Sequence, residues 1–159
     1  MTGDTELLEA AQRVDRGSIV VGHDGSPGAD RALEEALVLA RALGVPVVLV
    51  RAWSLVTAPR RADWDFGYVP GYDECAEVVR LALVDDAGPA VEGYPDVSVT
   101  CQAVHASPTQ SLVEVSRRAR MLVVGARGVG GLAGMLLGSV SDQCVRHAHC
   151  SVLVARTPV

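Results

Sequence analysis

Apolar residues in this chain follow two rhythms. One is a set of short unbroken runs; the other is a set of longer stretches in which they recur every three or four positions. The runs SIVVGH (residues 18–23), VVLVRAW (47–53), MLVVG (121–125) and SVLVAR (151–156) are rich in β-branched residues and close on glycine or a turn. Such runs predict strands buried on both faces. VSVTCQAV (97–104) alternates instead and predicts a half-buried strand. Between the runs lie helical stretches. Leu33, Ala36, Leu37, Ala40 and Leu43 make one stripe, with Ser26 placed as N-cap, Pro27 at the first helical position and Gly44 as C-cap ahead of Pro46. A second helix is predicted over residues 72–92, kinked at Gly88–Pro89 and stopped near Tyr94–Pro95. Shorter helices are predicted over 108–118 and 138–147.

Strands that read as near-continuous apolar runs, alternating with helices, predict a parallel sheet covered on both faces. Right-handed crossovers then give a doubly wound five-stranded parallel sheet, a Rossmann-like three-layer α/β/α fold with strand order 3-2-1-4-5. Ligands in such folds bind beyond the carboxyl ends of the strands where the winding reverses, here between the first and fourth strands. One domain is expected over residues 18–157, preceded by an extension over 1–17. Leu7, Leu8, Ala11 and Val14 of that extension have helical spacing; a short helix and a frayed tail both fit. Residues 54–71 have no periodicity and predict a long loop carrying Trp64, Phe66 and Tyr68, with Tyr72 just beyond. These aromatics fit either packing of the loop onto the domain or a lid.

Composition narrows the function classes. A net charge of −5 argues against nucleic-acid binding, which needs excess cation to displace counterions. All 14 basic residues are Arg, so no lysine can form a Schiff base, act as a general base or complete a Walker A loop. No apolar run reaches membrane-spanning length, and Asp4, Glu6 and Glu9 do not suit a signal peptide. The scattered Cys75, Cys101, Cys144 and Cys150 are expected as reduced thiols in a cytoplasmic protein.

The chemistry concentrates in GARGVGGLAGMLLGSVS (125–141), which places six glycines within residues 125–138 between a buried strand and a helix. Glycines let backbone N–H groups converge on an anion, and the helix start near Gly138–Ser139 adds unpaired N–H groups and a positive dipole end. Ser139 brings a hydroxyl and Arg127 a charge. The stretch Gly128 to Ala133 fits GxGxxA, but it follows the fourth strand and has no acidic ribose partner after it. Asp24, at the end of the first strand, faces this loop across the switch point; as a plain turn residue it would need no ligand.

The spacing Gly125-x2-Gly128-x9-Gly138-Ser139 resembles the ATP-binding signature of the universal stress protein family. VVGHDGSPGADRAL, VVLVRAW, LVVGARGVGG, LLGSVSDQCVRHA and CSVLVAR extend the resemblance over roughly residues 18–156. It implies an ATP-binding protein with a stress-response or regulatory role and slow or no hydrolysis. By position, Gly22, His23 and Asp24 would be cofactor-binding, with Asp24 reaching the ribose and nearby phosphate. The backbone of Ala52 would recognise adenine. Gly125, Arg127 and Gly128 would approach ribose and phosphate, and Gly138, Ser139 and Val140 would hold the phosphates. The resemblance further implies Mg²⁺ with the triphosphate, a homodimer through residues 151–156 and a regulatory protein partner. Arg120 and Ala106 depart from the family's pattern, which commonly has an acid and a glycine there.

Other functions have less support. Cys144-x2-His147-x-His149-Cys150 is not a standard zinc spacing. GxSxG and HExxH are missing. His105 and His149 are expected at the surface, and Arg117, Arg118 and Arg120 as a solvated helix end. An ATPase or nucleotidyl transferase on the same fold, a nucleotide-free dimerisation module and a cyclic-AMP binder are the alternatives.

Overall fold

The computed structural model describes residues 3–131 and 133–158. The element order is α1 (Gly3–Gln12), β1 (Ile19–Gly22), α2 (Pro27–Leu43), β2 (Val47–Trp53), α3 (Tyr72–Val91), β3 (Val99–His105), α4 (Pro108–Val115), β4 (Met121–Gly125), α5 (Ser139–His147) and β5 (Ser151–Ala155). The five strands form one parallel sheet in the order β3-β2-β1-β4-β5. Fold class and strand order are those the apolar rhythm predicts.

Two apolar layers sandwich the sheet. Ile19, Val21, Val47, Leu49 and Val123 face α2 and α3, where Leu33, Leu37 and Leu83 are fully buried. Val20, Val48, Val50, Leu122 and Val124 face the other way, toward Leu112, Val115 and Cys144. The central strands are apolar on both faces because both faces are covered, whereas β3 lies at an edge and mixes buried with exposed positions.

Local signals set the helix ends. Ser26 is the N-cap of α2 and its hydroxyl accepts the Ala29 N–H (3.2 Å). Gly44 closes α2 in the left-handed region (φ 64°), and Val45 N–H reaches the Ala40 carbonyl (3.1 Å). Helix α3 runs through Gly88–Pro89, the site of the expected kink, to Val91, one residue short of the expected end. Pro89 stands two residues before the end, so the bond it removes, to the Asp85 carbonyl, is lost from the last turns only. Helix α4 ends at Val115, three residues earlier than expected, because the Ser116 hydroxyl turns back to the Val113 carbonyl (2.6 Å). Strand β3 starts at Val99, two residues later than its alternation predicts, after a turn in which Val97 N–H bonds the Tyr94 carbonyl.

The extension before β1 takes the helical alternative. Ala10, Ala11 and Val14 are buried, the first and last of them in the layer that also holds Val104 and Leu112. Glu6 Oε1 accepts the His105 N–H (2.7 Å), and Arg118 Nε donates to the Val14 carbonyl (2.9 Å). All four cysteines are free thiols. Cys144 is buried, and that burial pushes its pKa up to about 11.

Candidate functional site

A parallel sheet sends every strand's carboxyl end, and the N-terminus of each following helix, to one edge. Here that edge carries a cleft of about 1120 Å³. Its walls come from the turn after β1, the end of β2, the start of α4 and the segment from Gly125 to Ser141. Gly22, His23, Asp24, Ala52, Gly125, Arg127, Gly128, Gly138, Ser139 and Val140 all line it, so sequence positions up to 118 residues apart converge on one crevice.

The floor is the start of α5. Gly138 is its N-cap with extended backbone (φ −72°, ψ 166°), and it has no side chain with which to cap the helix. Gly138 N–H donates to the Ala126 carbonyl (2.6 Å), and Asp142 N–H is the first to bond within the helix, at the Gly138 carbonyl (3.0 Å). Among the described residues nothing accepts the N–H groups of Ser139, Val140 and Ser141. The Ser141 hydroxyl points back at the Ala126 and Gly138 carbonyls (3.0 Å each) and leaves them open. Three free donors at the positive end of a helix dipole are an arrangement that can receive an anion. Arg127 is exposed beside them, and no described acid pairs with it.

Asp24 crosses the switch point. Its Oδ1 accepts the Ser26 N–H (3.0 Å) and its Oδ2 the Val129 N–H (2.9 Å), which ties the turn after β1 to the glycine-rich segment after β4. Burial alone would raise its pKa. The hydrogen bonds from Ser26 and from the Val129 amide outweigh burial and hold the carboxyl below its ordinary value. Gly128 has no Cβ because one would collide with Asp24 Oδ2.

The other glycines divide by role. A Cβ on Gly125 would lie 2.6 Å from the Gly28 backbone, and one on Gly22 would lie 2.7 Å from Leu112 Cδ1. Packing therefore requires glycine at 125, where the neighbour is backbone, whereas at 22 the end of the Leu112 side chain would have to move. Gly130 (φ 80°) and Gly134 (φ 93°) provide the left-handed turns of the loop. His23 lines the cleft, but its imidazole is fully buried and both ring nitrogens are held by protein groups. It therefore has no free nitrogen for a ligand.

At the β2 side, the Val50 carbonyl accepts the His23 N–H (3.0 Å). Strand alternation turns the N–H and C=O of Ala52 the same way, past Gly22, the last β1 residue in the ladder. Beyond Ala52 stands an aromatic wall. Trp53 packs against His105 (ring centroids 4.6 Å) and Tyr72 (5.3 Å), and Tyr72 meets His105 edge-on at 5.4 Å. His105 is thus half-buried in the wall and not at the surface, because register places it beside Trp53 on the edge strand. The loop aromatics do not act together. Trp64 and Tyr68 pair on the outside (5.9 Å), whereas Phe66 is fully exposed. Arg51 was not singled out from the sequence, since one charge within a buried run has no local signal. It reaches Asp86 and His23 beneath the turn.

The sequence profile described as "Universal stress protein family" matches residues 16–156. Universal stress protein Mb2028c of Mycobacterium bovis is 40% identical over 138 residues, which is 87% of this chain and 45% of that protein. Universal stress protein Rv2623 of Mycobacterium tuberculosis is 36% identical over 140 residues, 87% of this chain and 44% of that protein. The chain spans about half the length of these curated relatives. Among solved structures, a universal stress protein in complex with cAMP superimposes with a TM-score of 0.65 at 24% identity, covering 91% of this chain and all of that one. Universal stress protein UspA from Lactobacillus plantarum gives 0.64 at 20% identity, with the same coverage. Sequence and fold together show that this chain belongs to the universal stress protein family.

Proposed function

We propose that the cleft binds ATP and that the protein is a nucleotide-responsive regulator in the response to stress, with slow or no hydrolysis. The observation that carries the reading is the row of three open N–H groups at Ser139, Val140 and Ser141, with Arg127 alongside. They suit a polyphosphate chain without any lysine. Asp24 lies toward the ribose, and the backbone of Ala52 offers a donor and an acceptor to the base. Slow turnover is supported by the state of the nearest acid and base: Asp24 has both oxygens hydrogen-bonded and His23 both ring nitrogens. The buried His23 is closed to water, and Asp24 is committed to tying the two loops together.

Magnesium fits only as a companion of the phosphates. Among the described residues no three His, Cys, Asp or Glu side chains gather to hold an ion. Mg²⁺ commonly rests on phosphate oxygens and water, so the bound phosphates would carry it. A second copy pairing along β5, and a regulatory protein partner that reads nucleotide occupancy, complete the proposal.

Ser139→Pro tests the site with little risk to the fold. Residue 139 is the first position of α5, where proline is favoured, and Gly138 already has the extended backbone that precedes proline. The change deletes one open N–H and one hydroxyl. A charge-assisted hydrogen bond contributes about 1.5–3 kcal/mol, so calorimetric ATP affinity should fall at least tenfold with an unchanged melting temperature. Equal ATP binding by both proteins removes the assigned site. Cyclic AMP, named with one solved neighbour, enters the same titration as competitor; stronger binding of it than of ATP would redirect the proposal. Phosphate release at the rate of a working ATPase would favour the enzyme alternative.

A further inference from the structure

The turn that presents Asp24 is held from beneath by a buried histidine. His23 Nδ1 faces two donors, the Gly25 N–H (3.3 Å) and Arg51 Nη2 (3.0 Å). A guanidinium and an amide N–H can only donate, so Nδ1 must carry its lone pair. The ring proton is therefore on Nε2, where Asp30 Oδ1 accepts it (3.0 Å). Arg51 grips the same residue a second time, through Nε to the His23 carbonyl (2.9 Å), and is itself held by Asp86 Oδ2 (2.8 Å). Asp24 follows directly and accepts the Val129 N–H, and the chain then turns through Gly25 (φ 84°). Three contacts that orient the turn, from the Gly25 N–H and twice from Arg51, end on the His23 lone pair or its carbonyl.

We propose that His23, fixed as its Nε2–H tautomer by Arg51 and Asp30, is a positioning residue of the cleft whose protonation releases Asp24 from the glycine-rich loop and so weakens ligand binding. A proton on Nδ1 would set an N–H against the Gly25 amide and against a guanidinium. Both contacts would turn from attraction to repulsion. The charged groups around the ring are Asp24 of its own turn, Asp30 of α2, Arg51 of β2 and Asp86 of α3. Burial and then Arg51 push the imidazole below its ordinary value, against the opposing pull of Asp30 and Asp86. The release therefore belongs below pH 6.5, while Asp24, held below its own ordinary value, stays ionised.

The inference rests on the ATP reading for its binding arm only, so a second arm needs no nucleotide. In the ligand-free protein, nuclear magnetic resonance should show the Nε2–H tautomer at pH 7.5. Exchange protection of the Val129 amide should fall at least fivefold on the same titration as the ring. His23→Asn keeps an acceptor near the Nδ1 position and does not titrate, so its Val129 protection should be flat between pH 5 and 8. His23→Gln lacks that acceptor and should show low protection throughout. In the binding arm, affinity for ATP with Mg²⁺ should drop with acid more steeply in the wild type than in His23→Asn. The comparison cancels the phosphate's own ionisation near pH 6. A wild-type Nδ1–H tautomer, or Val129 protection that ignores the His23 titration, overturns the inference even if ATP binds. Tracking of Val129 with His23 in a protein that binds no ATP would leave the inference standing and remove the proposed ligand.

Discussion

At the scale of single residues, glycines and one aspartate decide the shape of the cleft. Gly125 is the most sterically confined of the functional candidates, because the Gly28 backbone, which cannot rotate away, fills its Cβ position at 2.6 Å. Gly125→Ala should destabilise the fold by about 1–3 kcal/mol, the usual cost of overpacking, as a lower urea midpoint at unchanged slope. Asp24 contributes through its charge. Its folded-state pKa lies below the ordinary value, so the unfolded chain takes up its proton first as pH falls. The stabilisation is complete above pH 3.8 and is lost as acid carries the pH through the lower folded value. Wild-type stability should therefore fall more steeply than that of Asp24→Asn below pH 4, measured by urea unfolding at a series of pH values.

At the scale of elements, α1 is a fastening for the edge of the sheet. Glu6 accepts the His105 N–H and holds Tyr72, whose phenol pKa is raised first by burial and then by that carboxylate. Glu6→Ala should cost about 1–3 kcal/mol by leaving the buried-side N–H without its acceptor, read by thermal unfolding. The sequence made the strands legible wherever both faces are buried, since those runs are apolar throughout. Caps at Ser26 and Gly44 were legible because their chemistry is local. Edges were less so: the alternation of residues 97–104 misplaced the start of β3 by two residues, and the stripe of residues 108–118 overran the hydroxyl that ends α4. The open N-terminus of α5 beside the glycine-rich loop could be read from the glycine spacing. The His23–Arg51–Asp86 chain could not, because it joins positions 28 and 35 residues apart that only the fold makes neighbours.

At the scale of the whole molecule, β5 ends the sheet with its outer rim unpaired among the described residues. The Ala155 carbonyl faces β4, where it accepts the Ala126 N–H (2.8 Å), so alternation turns the backbone of Val154 outward. If the proposed dimer pairs along this edge, Val154→Pro removes one outward donor without touching the β4 ladder. Sedimentation should then show monomers where the wild type shows dimers. One contact also governs how the whole domain responds to a ligand. Helix α2 touches the end of β4 backbone to backbone at Gly28 and Gly125, with no side chain between them to act as a bearing. A hinge between α2 and β4 around a guest would have to break this direct backbone contact. If the cleft binds its proposed ligand, a signal of occupancy should leave through the segments above that contact, within residues 54–71 and 126–138, and a partner that senses it should grip the rim and not the flanks.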